Sequence, residues 1–285
     1  MRTVERIIEY RSRSDVVTIK PFFDIHLGSA LCDETRLKED IRQVKDDPLA
    51  FWILGGDACE LISSKDKRLT RRSQLADWLK DEDEDDIITR QLEEFTKLFG
   101  PIKDKCLTAV LGNHEDYMMF TTGQDAYRIM IRALDDVEKV RDSKLALGVQ
   151  GFLVLRFRRM KKTGGPDTWT QTMYLHHGYG GGRLPGGHAL TLGRIFTNHG
   201  CDFALLGHRH VVGFVPNDML SPSARADRTE KRKQAAMFCG TYRDGMPESV
   251  DPDYAEMKGL PPVASRQIEL RFTPDKKRVS LNIEL

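Results

Sequence analysis

Six of the eight histidines in this chain fall within five short segments, each placed directly after a run of apolar residues. The segments read Asp24-Ile25-His26-Leu27-Gly28, Gly55-Gly56-Asp57, Gly112-Asn113-His114-Glu115-Asp116, His176-His177-Gly178 and Gly207-His208-Arg209-His210. Imidazole and carboxylate together are the donor set that Zn, Fe, Mn and similar ions accept, and one carboxylate can bridge two of them. In an extended stretch Asp24 and His26 project to the same face, because the side-chain period is two, so the pair can grip one ion. His208 and His210 share that spacing and that consequence if extended; a tight turn would instead splay their rings toward two ions. Glycines beside the donors let backbone and substrate approach closely. No thiolate is placed to join the set. A single Asp or His at a strand end is most often a solvated loop residue, but that explanation does not cover six histidines at such ends. Outside the set, His199 near a helix end suits the dipole there, and His188, in or beside a Gly-rich loop, is a candidate substrate contact.

Elements must bring these five distant segments together. Short runs rich in Val, Ile, Leu and Phe over residues 16–20, 50–54, 107–111, 152–157, 170–175, 203–206, 211–215, 235–238 and 267–272 read as strands, and 278–285 alternates as one more. Helical periodicity marks 34–44, 87–99 and 126–134, with a fourth helix expected over 188–198. Strand–helix alternation followed by a strand-rich half predicts two sheets packed face to face with helices outside. No Pro/Ser-rich linker or internal repeat divides the chain, so residues 1–285 are expected to form a single domain. Residues 161–167 read as a hairpin tip. Pro21 is unusual inside a buried strand and predicts an edge or a bulge just before Asp24.

Composition narrows the class. The chain has 285 residues, 40% of them hydrophobic and 31% charged, enough for a sizeable core. Its 44 Lys and Arg against 43 Asp and Glu leave a net charge of +1, which argues against a dedicated nucleic-acid coat or a polybasic membrane binder. No apolar run approaches the roughly 18 to 20 residues that span a bilayer, and residues 1–15, dense in Arg and Glu, do not resemble a signal peptide. Five widely spaced cysteines without a CxxC pair fit reduced thiols, so a cytoplasmic protein without a membrane partner is expected. The acidic run 81–86 and the basic stretches 156–162 and 225–233 read as solvated segments, the basic ones with phosphate contact as the rival reading.

The ordered blocks D-x-H, G-D, G-N-H-E, H-H-G and G-H-x-H, spanning residues 24 to 210, resemble the calcineurin-like metallophosphoesterase superfamily. Residues 63–68, 180–183 and 254–259 are similar to its phage- and prophage-encoded branch. The fold this implies is α/β, a four-layer αββα sandwich with two mixed β-sheets.

The resemblance also implies roles. Asp24, His26 and His210 would hold one metal and Asn113 and His208 a second, with Asp57 bridging them. A histidine of the 176–177 pair completes the second site: the place directly after the apolar strand favours His176, and the place directly before glycine keeps His177 open. His114 is expected to protonate the leaving group rather than to bind metal, its tautomer set by the carboxylate of Glu60 or of Asp116. Arg183 and His188 are the candidate substrate contacts. Cys59 reads as a small buried hydrophobe whose thiol would make nearby metals oxidation-sensitive. The expected cofactors are two divalent ions, Mn foremost, with Fe, Zn or Ni also accepted by these donors. The expected activity is phosphoester hydrolysis by a hydroxide bridging the two metals. Phosphodiesters, as nucleotides or nucleic acid, are preferred because a proton donor helps a poor alkoxide to leave. A phosphomonoesterase or protein phosphatase is the alternative within the class, and a metal-stabilised, non-catalytic interaction scaffold the alternative outside it. The oligomeric state is left open.

Overall fold

The computed structural model describes residues 1–62, 71–81, 86–161, 167–181, 184–223, 227–245, 259 and 262–283. Residues 63–68, Arg183 and most of 254–259, named above for their resemblance, lie outside the described residues, as do positions 82–85 of the acidic run and 225–226 of the second basic stretch.

The first half runs β1 (Arg2–Tyr10), β2 (Val17–Phe22), α1 (Glu34–Asp46), β3 (Ala50–Leu54), α2 (Ile87–Phe99), β4 (Cys106–Val110), α3 (Asn113–Thr122), α4 (Ala126–Asp135) and β5 (Ala146–Gly148). The second runs β6 (Gln150–Arg159), β7 (Asp167–His176), α5 (Pro185–Asn198), β8 (Phe203–Leu206), β9 (Val212–Pro222), β10 (Thr229–Thr241), β11 (Arg266–Thr273) and β12 (Arg278–Ile283). Hydrogen bonding joins these strands into one mixed path in the order β1-β6-β7-β8-β10-β11-β2-β3-β4-β5, with β9 on β10 and β12 on β11. The link in the middle is thin: β10 and β11 share only the pairs Gly240–Gln267 and Thr241–Arg266.

The apolar pattern explains the layering around this path. In β3, Trp52 and Leu54 belong to a cluster under α1, α2 and α4, while Ile53 points to the opposite cluster. Strands covered on both faces read as unbroken apolar runs. The second cluster takes Ile19, Ile53 and Phe272 from one side of the thin link and Leu155, Phe157, Leu205 and Met237 from the other. Phe157 stacks on Phe272 at 5.0 Å. A third cluster sets Leu192 and Ile195 of α5 against Tyr174, Leu206 and Phe238.

Three elements differ from expectation. β1 lies in the Arg- and Glu-rich start; Val4, Ile8 and Tyr10 are buried on one side while Glu5 and Glu9 stay outside. β5 has three residues, too few for a pattern. α3 begins at Asn113 and carries donor segment residues. Pro21 stands neither on an edge strand nor at a bulge: β2 is paired by β3 on one side and β11 on the other. The β11 ladder ends at Ile19–Leu270, and Thr18 and Asp24 donate toward the β3 side, so the N–H that proline lacks would point beyond the ladder.

β6 and β7 pair antiparallel with Arg159 opposite Asp167, and residues 162–166 of the hairpin tip expected at 161–167 lie outside the described residues. The described cations of the first basic stretch are matched by acids: Arg156 with Glu5, Arg158 with Glu9, Arg159 with Asp275 and Lys161 with Asp167. That pairing lowers its value as a phosphate-binding face. No helix of the described residues is long and apolar enough to cross a membrane, and all five cysteines are free thiols.

Candidate metal centre

The donor residues occupy turns that follow β2, β3, β4, β7 and β8. They are not extended. Asp24, His26, Asp57, His208 and His210 have φ of 50°, 54°, 51°, 70° and 52°, in the left-handed region. The period-two expectation for Asp24 and His26 therefore fails; consecutive tight turns aim the two side chains instead. His208 and His210 follow the splayed alternative, each reaching a different group of donors. A non-glycine residue in this region costs on the order of 1–3 kcal/mol and persists only where its surroundings enforce it.

Those surroundings are visible. The carbonyl of Asp24 accepts from the Tyr242 N–H (3.1 Å) and the Thr241 hydroxyl (2.8 Å), and His26 N–H donates to the Asp57 carbonyl (3.0 Å). The buried Glu115 carboxylate accepts from the backbone N–H groups of Gly112 (3.0 Å), Asp57 (3.1 Å) and Ala58 (2.8 Å), tying the turn after β3 to the start of α3. The two turns touch so closely that a Cβ on Gly112 would lie 2.1 Å from the Asp57 nitrogen.

Within this frame three groups of donors form, and one of them, His26, Asp57 and His114, shares a member with each of the other two. In the first of those two, His210 Nε2 lies 3.3 Å from Asp24 Oδ1 and 3.1 Å from His26 Nε2. In the second, His177 Nε2 lies 3.1 Å from Asp57 Oδ2 and 3.0 Å from Asn113 Oδ1, and His208 Nδ1 lies 2.6 Å from the same Asn113 oxygen. Asp57 Oδ2 is also 4.0 Å from His26 Nε2, so this carboxylate borders both groups. Asp57 Oδ1 is held by the His114 N–H, and both Asp24 oxygens accept from the His208 N–H.

Ring tautomers follow from the outer contacts. His26 Nδ1 faces Glu60 Oε2 at 2.9 Å and His177 Nδ1 faces the Gly55 carbonyl at 2.9 Å; each acceptor takes the Nδ1 proton and leaves Nε2 turned inward. Burial drives the His26 pKa down to about 4 despite Glu60, so its ring is neutral at pH 7. His26 Nε2, turned inward as a lone pair, faces His210 Nε2 at 3.1 Å, a spacing that calls for a proton on His210 or a cation between the two nitrogens. Burial also opposes charge on His177, but Asp57 and Asp24 beside it prevail and raise its pKa to about 10. Burial likewise opposes ionisation of Asp57, and His177 and His114 outweigh it, holding the carboxyl well below its usual range. A proton on His177 and a divalent cation compete for the same carboxylates. The mixed imidazole, carboxylate and amide donors, the shared Asp57 oxygen and the facing nitrogens fit a pair of divalent cations.

The structure brings together Asp24, His26, Asp57, Asn113, His177, His208 and His210. His176, favoured over its neighbour by its place after the strand, stands apart: its Nδ1 accepts from its own loop at Gly178 N, and His177 fills the position beside Asp57. His114 lies close to His26 and Asp57. Its orienting partner is neither of the expected carboxylates: His114 Nδ1 meets the backbone carbonyl of Glu60, whose carboxylate orients His26 instead, while Asp116 is exposed on α3. His188 packs its ring edge against Phe238 on α5, and His199 ends that helix against Tyr174. Cys59 is fully buried, and burial pushes its thiol pKa well up. Glu115, named only as part of its segment, and Thr241 were given no role from sequence; the Gly-x-x-Glu spacing at a helix start was the signal available for Glu115.

No protein-family model and no curated protein matches this chain. Among solved structures it is similar to a metallophosphoesterase from Sphaerobacter thermophilus, at 12% identity and a TM-score of 0.40 over 94% of this chain and 89% of that one. It is also similar to a conserved uncharacterized protein from Streptococcus pneumoniae described as a predicted phosphoesterase, at 10% identity and a TM-score of 0.34 over 95% of this chain and 99% of that one.

Proposed function

We propose that this chain is a metal-dependent phosphoesterase that uses two divalent cations and prefers phosphodiesters of nucleotides or nucleic acid. The observation that carries the reading is Asp57, whose Oδ2 borders both donor groups while its Oδ1 is fixed by the His114 N–H. Asp24, His26 and His210 would hold one cation, and Asn113, His177 and His208 the other, with Asp57 shared. Two divalent ions held there would supply an acidified water as nucleophile and positive charge for the phosphoryl oxygens.

The remaining work falls to the chain. His114 donates Nδ1–H to the Glu60 carbonyl, so its Nε2 gives a proton only when the ring carries a second one. In that form it protonates the departing alkoxide, the step a diester needs most. Glu60 keeps His26 Nε2 turned inward, and Gly55 does the same for His177. The shared apolar cluster supports a four-layer reading in which the strand path folds over at the β10–β11 link, with residues 1–285 acting as one unit. The five free thiols suit a reducing, cytoplasmic compartment.

The test is hydrolysis of p-nitrophenyl phosphate and bis-p-nitrophenyl phosphate by Mn-loaded protein, with Asp57→Asn and His114→Ala alongside. The expected result is diester turnover that Asp57→Asn abolishes and His114→Ala lowers by about 10²- to 10⁴-fold, the range general acids supply. Metal-replete protein that cleaves neither ester overturns the enzymatic reading and favours the scaffold.

A further inference from the structure

Arg209 stands between two candidate donors, His208 and His210, and belongs to neither group. Its guanidinium lies over the Phe238 ring at 5.6 Å and donates one long hydrogen bond, 3.4 Å, to the Thr191 hydroxyl on α5. Its Nε is shielded from solvent without a hydrogen-bond partner, and among the described residues it forms no ion pair. The first turn of α5 holds no acid to balance it. Two other half-buried arginines of the second half behave differently: Arg159 meets Asp167 and Asp275, and Arg232 meets Asp202.

Packing on Phe238 explains where the side chain rests but not why a cation stands there without a carboxylate. Two neighbours lie close to the same place. His188 leans on the same Phe238 ring at 5.7 Å. The loop after His177 runs beside both His208 and Arg209: a Cβ on Gly178 would fall 2.8 Å from His208 Cβ, and one on Gly180 would fall 3.9 Å from the guanidinium. The described part of this loop thus touches both His208, a candidate donor, and the arginine.

We propose that Arg209, with His188 beside it, binds a second phosphate of the substrate, one next to the phosphodiester being cleaved. A guanidinium offers a fixed fork of donors that matches phosphate oxygens, and a charge with no internal carboxylate breaks no ion pair when it takes an external anion. The substrate class is then a phosphodiester flanked by another phosphate, as along a nucleic-acid strand, rather than an isolated ester. This rests on the phosphoesterase reading above.

The test uses the p-nitrophenyl ester of thymidine 5′-phosphate with and without a 3′-phosphate, on Mn-loaded wild type, Arg209→Gln and Arg209→Lys. Wild type should favour the 3′-phosphorylated ester in kcat/KM by about tenfold, chiefly through KM, as one charge-assisted hydrogen bond to phosphate predicts. Arg209→Gln should bring that ratio to one, and Arg209→Lys should restore part of it. A ratio unaltered in Arg209→Gln overturns the proposal. In parallel, calorimetric titration of the Mn-loaded proteins compares thymidine 3′,5′-bisphosphate with thymidine 5′-monophosphate. If neither ester is cleaved yet wild type alone prefers the bisphosphate, the phosphoesterase reading fails and the Arg209 site stands. Equal preference in wild type and Arg209→Gln removes the site whatever the turnover.

Discussion

At the scale of single residues, the candidate centre was legible wherever side-chain chemistry announces itself and illegible wherever orientation decides. Asp24, His26, Asp57, Asn113, His208 and His210 could be picked out by type and spacing. The choice between His176 and His177 could not, because it depends on which ring the turn before Gly178 swings toward Asp57. Glu60 was found for the wrong partner, since a residue reached through its backbone carbonyl leaves no mark on sequence. The electrostatics of these residues give a pH test on protein freed of divalent cations by a chelator. His26 titrates at about 4 in the fold against an ordinary 6.5, so between those values the unfolded chain binds more protons and stability falls as pH drops. The shift is worth at most about 3.5 kcal/mol, at about 1.4 kcal/mol per pH unit. His177, held up at about 10, acts oppositely: its stabilisation is complete below 6.5 and is lost as pH climbs toward 10. Urea midpoints should therefore decline on both sides of pH 6.5. A His26→Asn variant should flatten the acid limb; an acid limb unchanged in that variant would refute the assignment.

At the scale of elements, apolar runs and helical periodicity located β3, β8 and α2 to the residue, because tertiary burial and local pattern agree there. They missed α3, which starts at a donor segment and leaves Tyr117, Met119 and Phe120 exposed, so no apolar face betrays it. They missed β1 because every second residue there faces solvent and carries charge or threonine in three of four cases. The start of α3 is also where one side chain serves three backbone donors. Glu115→Ala would strand the N–H groups of Gly112, Asp57 and Ala58, at about 1–3 kcal/mol for each one left buried and unpaired. Thermal unfolding of Glu115→Ala should drop by several degrees even without divalent cations, and a melting temperature equal to wild type would show that the carboxylate is dispensable.

At the scale of the whole molecule, the α/β class followed from element order, while the strand order did not, since pairing of β1 with β6 and of β11 with β2 joins segments far apart in sequence. The cluster shared across the thin β10–β11 link predicts that the two groups of strands unfold together. Phe157→Ala, which removes a fully buried ring stacked on Phe272, should cost about 3–5 kcal/mol and keep a single transition in denaturant. Two separated transitions would contradict that shared core. The position of the donors adds something to this picture. Asp24, Asp57 and Asn113 follow strands on one side of the link, His177, His208 and His210 follow strands on the other, and Thr241 of the link itself holds the Asp24 carbonyl. An ion gripped by both sets would be a clasp across the place where the sheet path is weakest. Its departure would loosen the grip between the two groups of strands, so the same few side chains that would hold the ion would also hold the molecule's two halves together.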